Sequence, residues 1–187
     1  MTQEEIKAAI KEASKGILKY IEIMGVLGKV NVSECLIFQK LYKGFYRVRR
    51  NDEWCKVYFS HLENNKVNND ISFDNVLDYI SEKTGRCEAS FSSKLVATIN
   101  PNKPIWDRWI IQNTGHRAPL SADKNKIALT KAAYRSIENW YDGFLKSDDG
   151  KLYVQTFNKI LPKDIVDRIT DLKKVDFILW QIRTKKK

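Results

Sequence analysis

The chain has 187 residues, of which 43% are hydrophobic and 11% aromatic, enough apolar material to bury one core and too much for a largely disordered chain. Its 33 Lys and Arg against 23 Asp and Glu give a formal charge of +10, so the expected partner is a polyanion, with nucleic acid foremost. No apolar run reaches the roughly 20 residues of a bilayer span, and Met1 to Glu5 carries acids instead of a hydrophobic signal core.

Taken in chain order, the apolar spacing is helical nearly throughout. Thr2 and Glu5 form a capping-box signature. Ile6, Ile10, Ala13, Ile17, Tyr20, Ile21 and Met24 follow at mostly three- and four-residue steps, which predicts one face of a long helix interrupted by Gly25 and Gly28. Ser33 is the expected cap of a second helix bearing Phe38, Leu41, Tyr42 and Phe45. Asn51 or Asp52 opens a third, with Trp54, Val57, Tyr58 and Leu62 inward. The Asn-rich stretch from Asn64 to Asp70 reads as a loop, and Ser72 caps the helix of Phe73, Val76, Leu77 and Ile80.

A break at Lys83-Thr84-Gly85-Arg86 precedes a helix from about Glu88 to Ile99. Pro101 and Pro104 stiffen the next connector, and Pro104 suits the first turn of a helix. After a loop from Gly115 to Pro119, Ser121 is the expected cap of a long helix carrying Ile127, Tyr134, Ile137, Tyr141 and Phe144. Asp148-Asp149-Gly150 reads as a turn. Helix returns around Tyr153, Phe157 and Ile160, stops at Pro162, and resumes with Asp171 as cap before Val175, Ile178, Leu179 and Ile182. The Lys185-Lys186-Lys187 end is expected to fray. The prediction is an all-α bundle of about eight or nine helices, a single domain or two small lobes sharing one core. Cys35, Cys55 and Cys87 are scattered, and His61 and His116 stand far apart. No disulfide framework, metal site or cofactor is therefore expected, and the reading is a reduced, cytoplasmic protein.

The stretch from Ile80 to Ile111 carries the functional hypothesis. A helix that begins just after Gly85 aims unpaired backbone N–H groups outward, and Lys83 and Arg86 flank it, which suits a phosphate. Asp107 follows the Pro-stiffened connector. A second basic cluster, Lys40, Lys43, Arg47, Arg49 and Arg50, contains no acid and interleaves with Tyr42, Phe45 and Tyr46, compatible with backbone contacts plus stacking. From Lys83 to Lys131, nine cations face three acids, so the basic charge concentrates around this same segment. The competing readings are bland ones: solvated helix faces, a helix stop at Gly85, and Asp107 as cap of the helix bearing Trp109 and Ile110.

The run Lys83-Thr84-Gly85, followed by Pro104-Ile105-Trp106-Asp107, resembles the helix–hairpin–helix DNA glycosylases of base-excision repair, including the 8-oxoguanine glycosylase fold. In that family a Gly-rich hairpin holds the DNA backbone, and a Pro-Val-Asp or Pro-Ile-Leu-Asp turn beyond it supplies the catalytic aspartate. Here Gly85 and Asp107 stand 22 residues apart. The resemblance covers residues 80–111 and implies duplex DNA as partner, with Lys83, Thr84, Gly85, Arg86, Arg47, Arg49 and Arg50 as its contacts. It also implies Asp107 as the catalytic carboxylate and Trp54, Trp106 and Trp109 as walls of a base pocket. The family hairpin reads Leu-Pro-Gly-Val-Gly, and its bifunctional members place a Schiff-base lysine two residues after the second glycine. Cys87 occupies that position in this chain, which implies a monofunctional enzyme or one that has lost catalysis altogether, while Lys94 serves as the amine only under a different register. The alternatives are a non-catalytic nucleic-acid-binding helical domain and a helical protein–protein interaction module.

Overall fold

A computed structural model of the protein describes residues 1–68 and 70–182. The expected fraying at Lys185-Lys186-Lys187 falls outside the described residues. Among those described, the chain is all-helical: α1 (Gln3–Leu27), α2 (Leu36–Tyr46), α3 (Asp52–Asn65), α4 (Phe73–Thr84), α5 (Ala89–Ile99), α6 (Arg108–Asn113), α7 (Lys126–Lys146), α8 (Asp148–Ile160), α9 (Lys163–Val166) and α10 (Asp171–Gln181). The helical class is as expected. The two short helices α6 and α9 bring the number to ten.

Capping chemistry sets many of the boundaries. The Thr2–Glu5 capping box closes in both directions, at 2.9 and 3.3 Å, and α1 runs through Gly25 to end at Gly28. Asn51 and Ser72 accept the expected bonds from Trp54 N–H and Asn75 N–H. Ser33 instead folds its hydroxyl onto Asn31 in a turn, and α2 starts later, at Leu36. Thr170, not Asp171, caps α10 by accepting from Lys173 N–H. Pro104 lies outside any helix, in the connector between α5 and α6, and Asp107 caps the start of α6. The long helix α7 begins at Lys126, beyond Ser121.

Asp148-Asp149-Gly150 forms the first turn of α8. Ser147 alone separates α7 from α8, serving both as the end of one and as the cap of the other. A Cβ at position 150 would stand 1.9 Å from the Phe144 carbonyl oxygen, so only glycine lets the two helices meet through one residue.

The buried residues form one cluster. The α1 stripe Ile6, Ile10, Ala13, Ile17 and Tyr20 lies at its centre, packed on α10, α8 and α2. Truncating fully buried Ile10 to Ala would remove about 2–5 kcal/mol. The helices α5 and α10 differ from the others. Every residue from Phe91 to Ile99, and from Leu172 to Leu179, is buried. Both are sunk in the core, yet they carry Lys94, Lys173, Lys174 and Asp176. Buried charge of this kind must find partners or a cavity.

Candidate functional site

Two polar places in the fold collect the residues singled out in the sequence. The first is a pocket of about 230 Å³ walled by α1, α2, α5, the connector before α6, α6 itself and α10. Lys94 and Asp107 both line it, together with Arg47 and Trp109. Its remaining surface is largely aromatic, from residues including Phe45, Phe91 and Trp180. The volume lies below the roughly 300–1,000 Å³ of drug-sized pockets and suits a single planar ring system.

Asp107 is held by its backbone neighbours. The Tyr134 hydroxyl donates to the Pro104 carbonyl at 2.8 Å, and the Trp106 N–H donates to Ser93 Oγ at 2.7 Å. The Ser93 hydroxyl in turn donates to the Ser90 carbonyl at 3.0 Å, so the Pro-Ile-Trp-Asp turn is clipped directly onto α5, one residue from Lys94. Asp107 Oδ1 accepts from the Trp109 N–H at 2.8 Å and caps α6. No hydrogen-bond donor among the described residues occupies its second oxygen.

Lys94 is only 9% exposed. Its Nζ donates to Ser90 Oγ at 3.0 Å and to the Tyr46 carbonyl at 3.4 Å, and lies 5.2 Å from the centre of the Phe91 ring. Burial pulls the Lys94 ammonium below the usual lysine range; Asp107 opposes this and Arg47 adds to it. The effect is a lysine biased toward the free amine, facing the same cavity as a carboxylate. Arg47 ends α2 with a left-handed backbone, φ 54°, and its side chain is exposed at the rim.

Further along α10, Asp176 is buried between Tyr141 and Lys173. The Tyr141 hydroxyl donates to Asp176 Oδ1, and Lys173 Nζ donates to Oδ2 at 2.6 Å. Burial holds the Asp176 carboxyl above the usual carboxylate range, against the lowering by the Lys173 charge and both hydrogen bonds. Neither residue was among those singled out in the sequence. Their signal was present, because Lys173, Asp176, Phe177 and Trp180 recur at helical spacing as a second face of α10.

The second place is a cleft of about 500 Å³ between the α2–α3 connector and the α4–α5 hairpin. It gathers Arg49, Arg50, Trp54, Lys83, Thr84 and Arg86. Gly85 ends α4 in the left-handed conformation, φ 67°, where glycine carries no Cβ penalty. The Thr84 hydroxyl is committed to the Ile80 carbonyl at 2.6 Å. Arg50 is committed too: its Nε and Nη2 grip both oxygens of buried Glu88 at 2.9 and 3.0 Å, and its guanidinium lies 5.0 Å from the centre of the Phe91 ring. Lys83, Arg86 and Arg49 remain exposed, with Lys83 near Glu82 at 3.2 Å.

The tryptophans separate. Trp109 lines the pocket and Trp54 the cleft, whereas Trp106 is buried in the core, parallel to Phe73. Cys87 is turned toward Thr130, 3.7 Å away, and does not line the pocket. No group of His, Cys, Asp and Glu suited to a metal ion occurs among the described residues, and no helix among them is long and apolar enough to cross a membrane. No protein-family model matches this chain, and no curated protein or solved structure matches it.

Proposed function

We propose that this chain is a base-excision glycosylase that acts on duplex DNA, with Lys94 as nucleophile and Asp107 as its partner carboxylate. The observation that carries this reading is that a desolvated lysine and a half-committed aspartate share one small aromatic pocket. A damaged or modified base would leave the stack and enter among the aromatic rings. The neutral Lys94 amine then bonds to C1′ as the bond from C1′ to the base nitrogen breaks. The electron pair leaves with the base, which is protonated through solvent. Asp107 stabilises the positive charge that develops on the sugar and takes the proton released by Nζ. As the C1′–O4′ bond breaks, protonated Asp107 returns its proton to O4′, which leaves a protonated imine on Lys94 and a hydroxyl at O4′.

The position of Cys87, away from the pocket, favours Lys94 as the amine and so favours a bifunctional enzyme over the monofunctional one that the hairpin register implies. The exposed Lys83, Arg86 and Arg49 around the second cleft supply the backbone contacts. A binding module without chemistry is the second reading, favoured by the bond that already commits Asp107 to capping α6.

Duplexes carrying single modified bases, incubated with the protein and borohydride, test this directly. Covalent trapping that is abolished in Lys94→Ala supports the assignment. Asp107→Asn should slow excision by on the order of a hundredfold with DNA affinity and melting temperature nearly unchanged, because Asn is a competent cap. Absence of excision across the panel, with salt-sensitive binding intact, would leave the binding module as the better reading.

A further inference from the structure

The pocket holds more positive charge than its own acids balance. Arg47, Lys94, Arg108 and Lys173 line it, against Asp107 and Asp176. Lys173 is paired with Asp176 at 2.6 Å, and the Asp107 charge acts on Lys94. The surplus is the two arginines. Both are exposed, and neither side chain makes a hydrogen bond or ion pair among the described residues. The Arg108 guanidinium only lies over Trp109, 5.0 Å from the ring centre. Arg47 carries a second mark. Among the described residues it alone, glycines apart, has a positive φ, 54°. The turn requires that conformation, because Tyr46 and Val48 on either side are both buried, and the Arg47 and Val48 N–H groups both donate to the Lys43 carbonyl. Glycine is the residue such a helix end favours, since a β-carbon is strained there. An arginine in this place strains the backbone, and no polar contact of its side chain within the protein offsets the strain. Strain held at the rim of a pocket points to a ligand.

We infer that Arg47 and Arg108 hold the phosphate of a nucleotide whose base lies among the aromatic rings, so that a free nucleoside monophosphate is a ligand of this protein in its own right. This goes beyond the base-excision reading and needs none of its chemistry. The aromatic interior accepts one planar ring system, and the sugar joins that ring to an anion at the mouth. A guanidinium matches phosphate oxygens with two parallel N–H donors. A bare base leaves both arginines without a counter-charge, and inorganic phosphate leaves the aromatic walls unused. Only the two joined together engage the whole pocket. A nucleotide within a strand offers the same chemistry, and the free monophosphate separates that chemistry from every other contact a strand makes.

The test is calorimetric titration of the intact protein with the 5′-monophosphates of deoxyguanosine, deoxyadenosine, deoxycytidine and deoxyuridine, with the corresponding nucleosides, and with inorganic phosphate. At least one monophosphate is expected to bind on the order of tenfold more tightly than both its nucleoside and inorganic phosphate, and to lose that margin as salt rises. Arg47→Gly should bring monophosphate and nucleoside close to equal affinity, while its melting temperature stays level or rises as the strain is relieved. Arg47→Asn, which tolerates the left-handed backbone, should do the same to affinity. Lys159→Ala, an exposed cation of α8 that lines neither polar place, should keep the margin and so excludes a general effect of charge. The comparison of probes in the unaltered protein needs no variant and stays decisive if Arg47→Gly misfolds. Equal affinity for monophosphate and nucleoside overturns the inference, as does a margin that survives in both Arg47 variants. Duplex binding that depends on Arg47, with no free monophosphate bound at millimolar concentration, assigns the arginines to the strand and overturns it too. Base excision that persists in any of these cases leaves the glycosylase reading intact, whereas monophosphate binding without excision upholds the pocket and removes the chemistry.

Discussion

Lys94→Met separates a catalytic lysine from a structural one, because the two roles predict opposite signs for stability. The substitution keeps the length and apolar stem of the side chain and removes the ammonium. Two hydrogen bonds disappear, to Ser90 Oγ at 3.0 Å and to the Tyr46 carbonyl at 3.4 Å. The longer is near the limit of a hydrogen bond. Against them stands the cost of keeping a charge in a site that disfavours it, the same burial that lowers its pKa. The folded-state pKa is depressed, so between it and the unfolded value near 10.4 the unfolded chain binds more protons than the folded one. In that window stability rises with pH, and at neutral pH the lysine lowers it.

Removing the charge should therefore stabilise the fold by about 1 kcal/mol, which for a chain of this size raises the melting temperature by roughly 2–4 °C. Excision should meanwhile fall by a thousandfold or more, on the order expected for loss of a nucleophile. If Lys94 is the proposed nucleophile, the excision rate of the unaltered protein should climb with pH through the depressed Lys94 pKa and level off before that of free lysine, because only the neutral amine would attack. Calorimetric melting and single-turnover excision read the two quantities. A variant that melts several degrees lower and still excises would refute the reasoning and make Lys94 a packing residue.

Arg50→Ala should destabilise the protein by about 2–4 kcal/mol in thermal or urea melts, since it strands Glu88, 8% exposed, without its bidentate partner; a defect confined to DNA affinity would mean that Arg50 touches phosphate instead. Lys83→Ala with Arg86→Ala should leave the melting temperature almost unchanged and flatten the salt dependence of duplex binding by roughly one unit for each phosphate no longer neutralised. A salt slope near zero in the unaltered protein would remove nucleic acid as the partner.

The helices were legible because their signals are local. The Thr2–Glu5 box, Asn51 and Ser72 announce their helices in a few adjacent letters, and the α1 stripe repeats at the period of the helix. Where a boundary depended on packing, the local signal misled. Asp148-Asp149-Gly150 has the composition of a turn, but Gly150 is there because Phe144 leaves no room for a side chain. Asp107 and Lys94 were both visible as candidates. What the sequence could not show is that the clip from Trp106 to Ser93 brings their backbones together, while Cys87, nearer in register to the family's lysine, faces Thr130. The helical spacing of Lys173 and Asp176 with Phe177 and Trp180 marks a shared face but not its burial. Lys173 and Asp176 are buried because α10 packs against α1, a contact between segments far apart in the chain.

That same contact makes the two polar places unequal during folding. The cleft around the hairpin is assembled from segments between Arg49 and Arg86, so its contacts close over short loops and can form early. The pocket takes Tyr20 from α1 and Phe177 from α10, and it exists only once a loop of about 150 residues has closed. A partly folded chain, or one clipped ahead of α10, could keep the surface proposed to hold a DNA backbone while lacking the cavity proposed to cut the glycosidic bond. Contact with nucleic acid and the power to damage it would then arise in sequence, the second only when the core is complete.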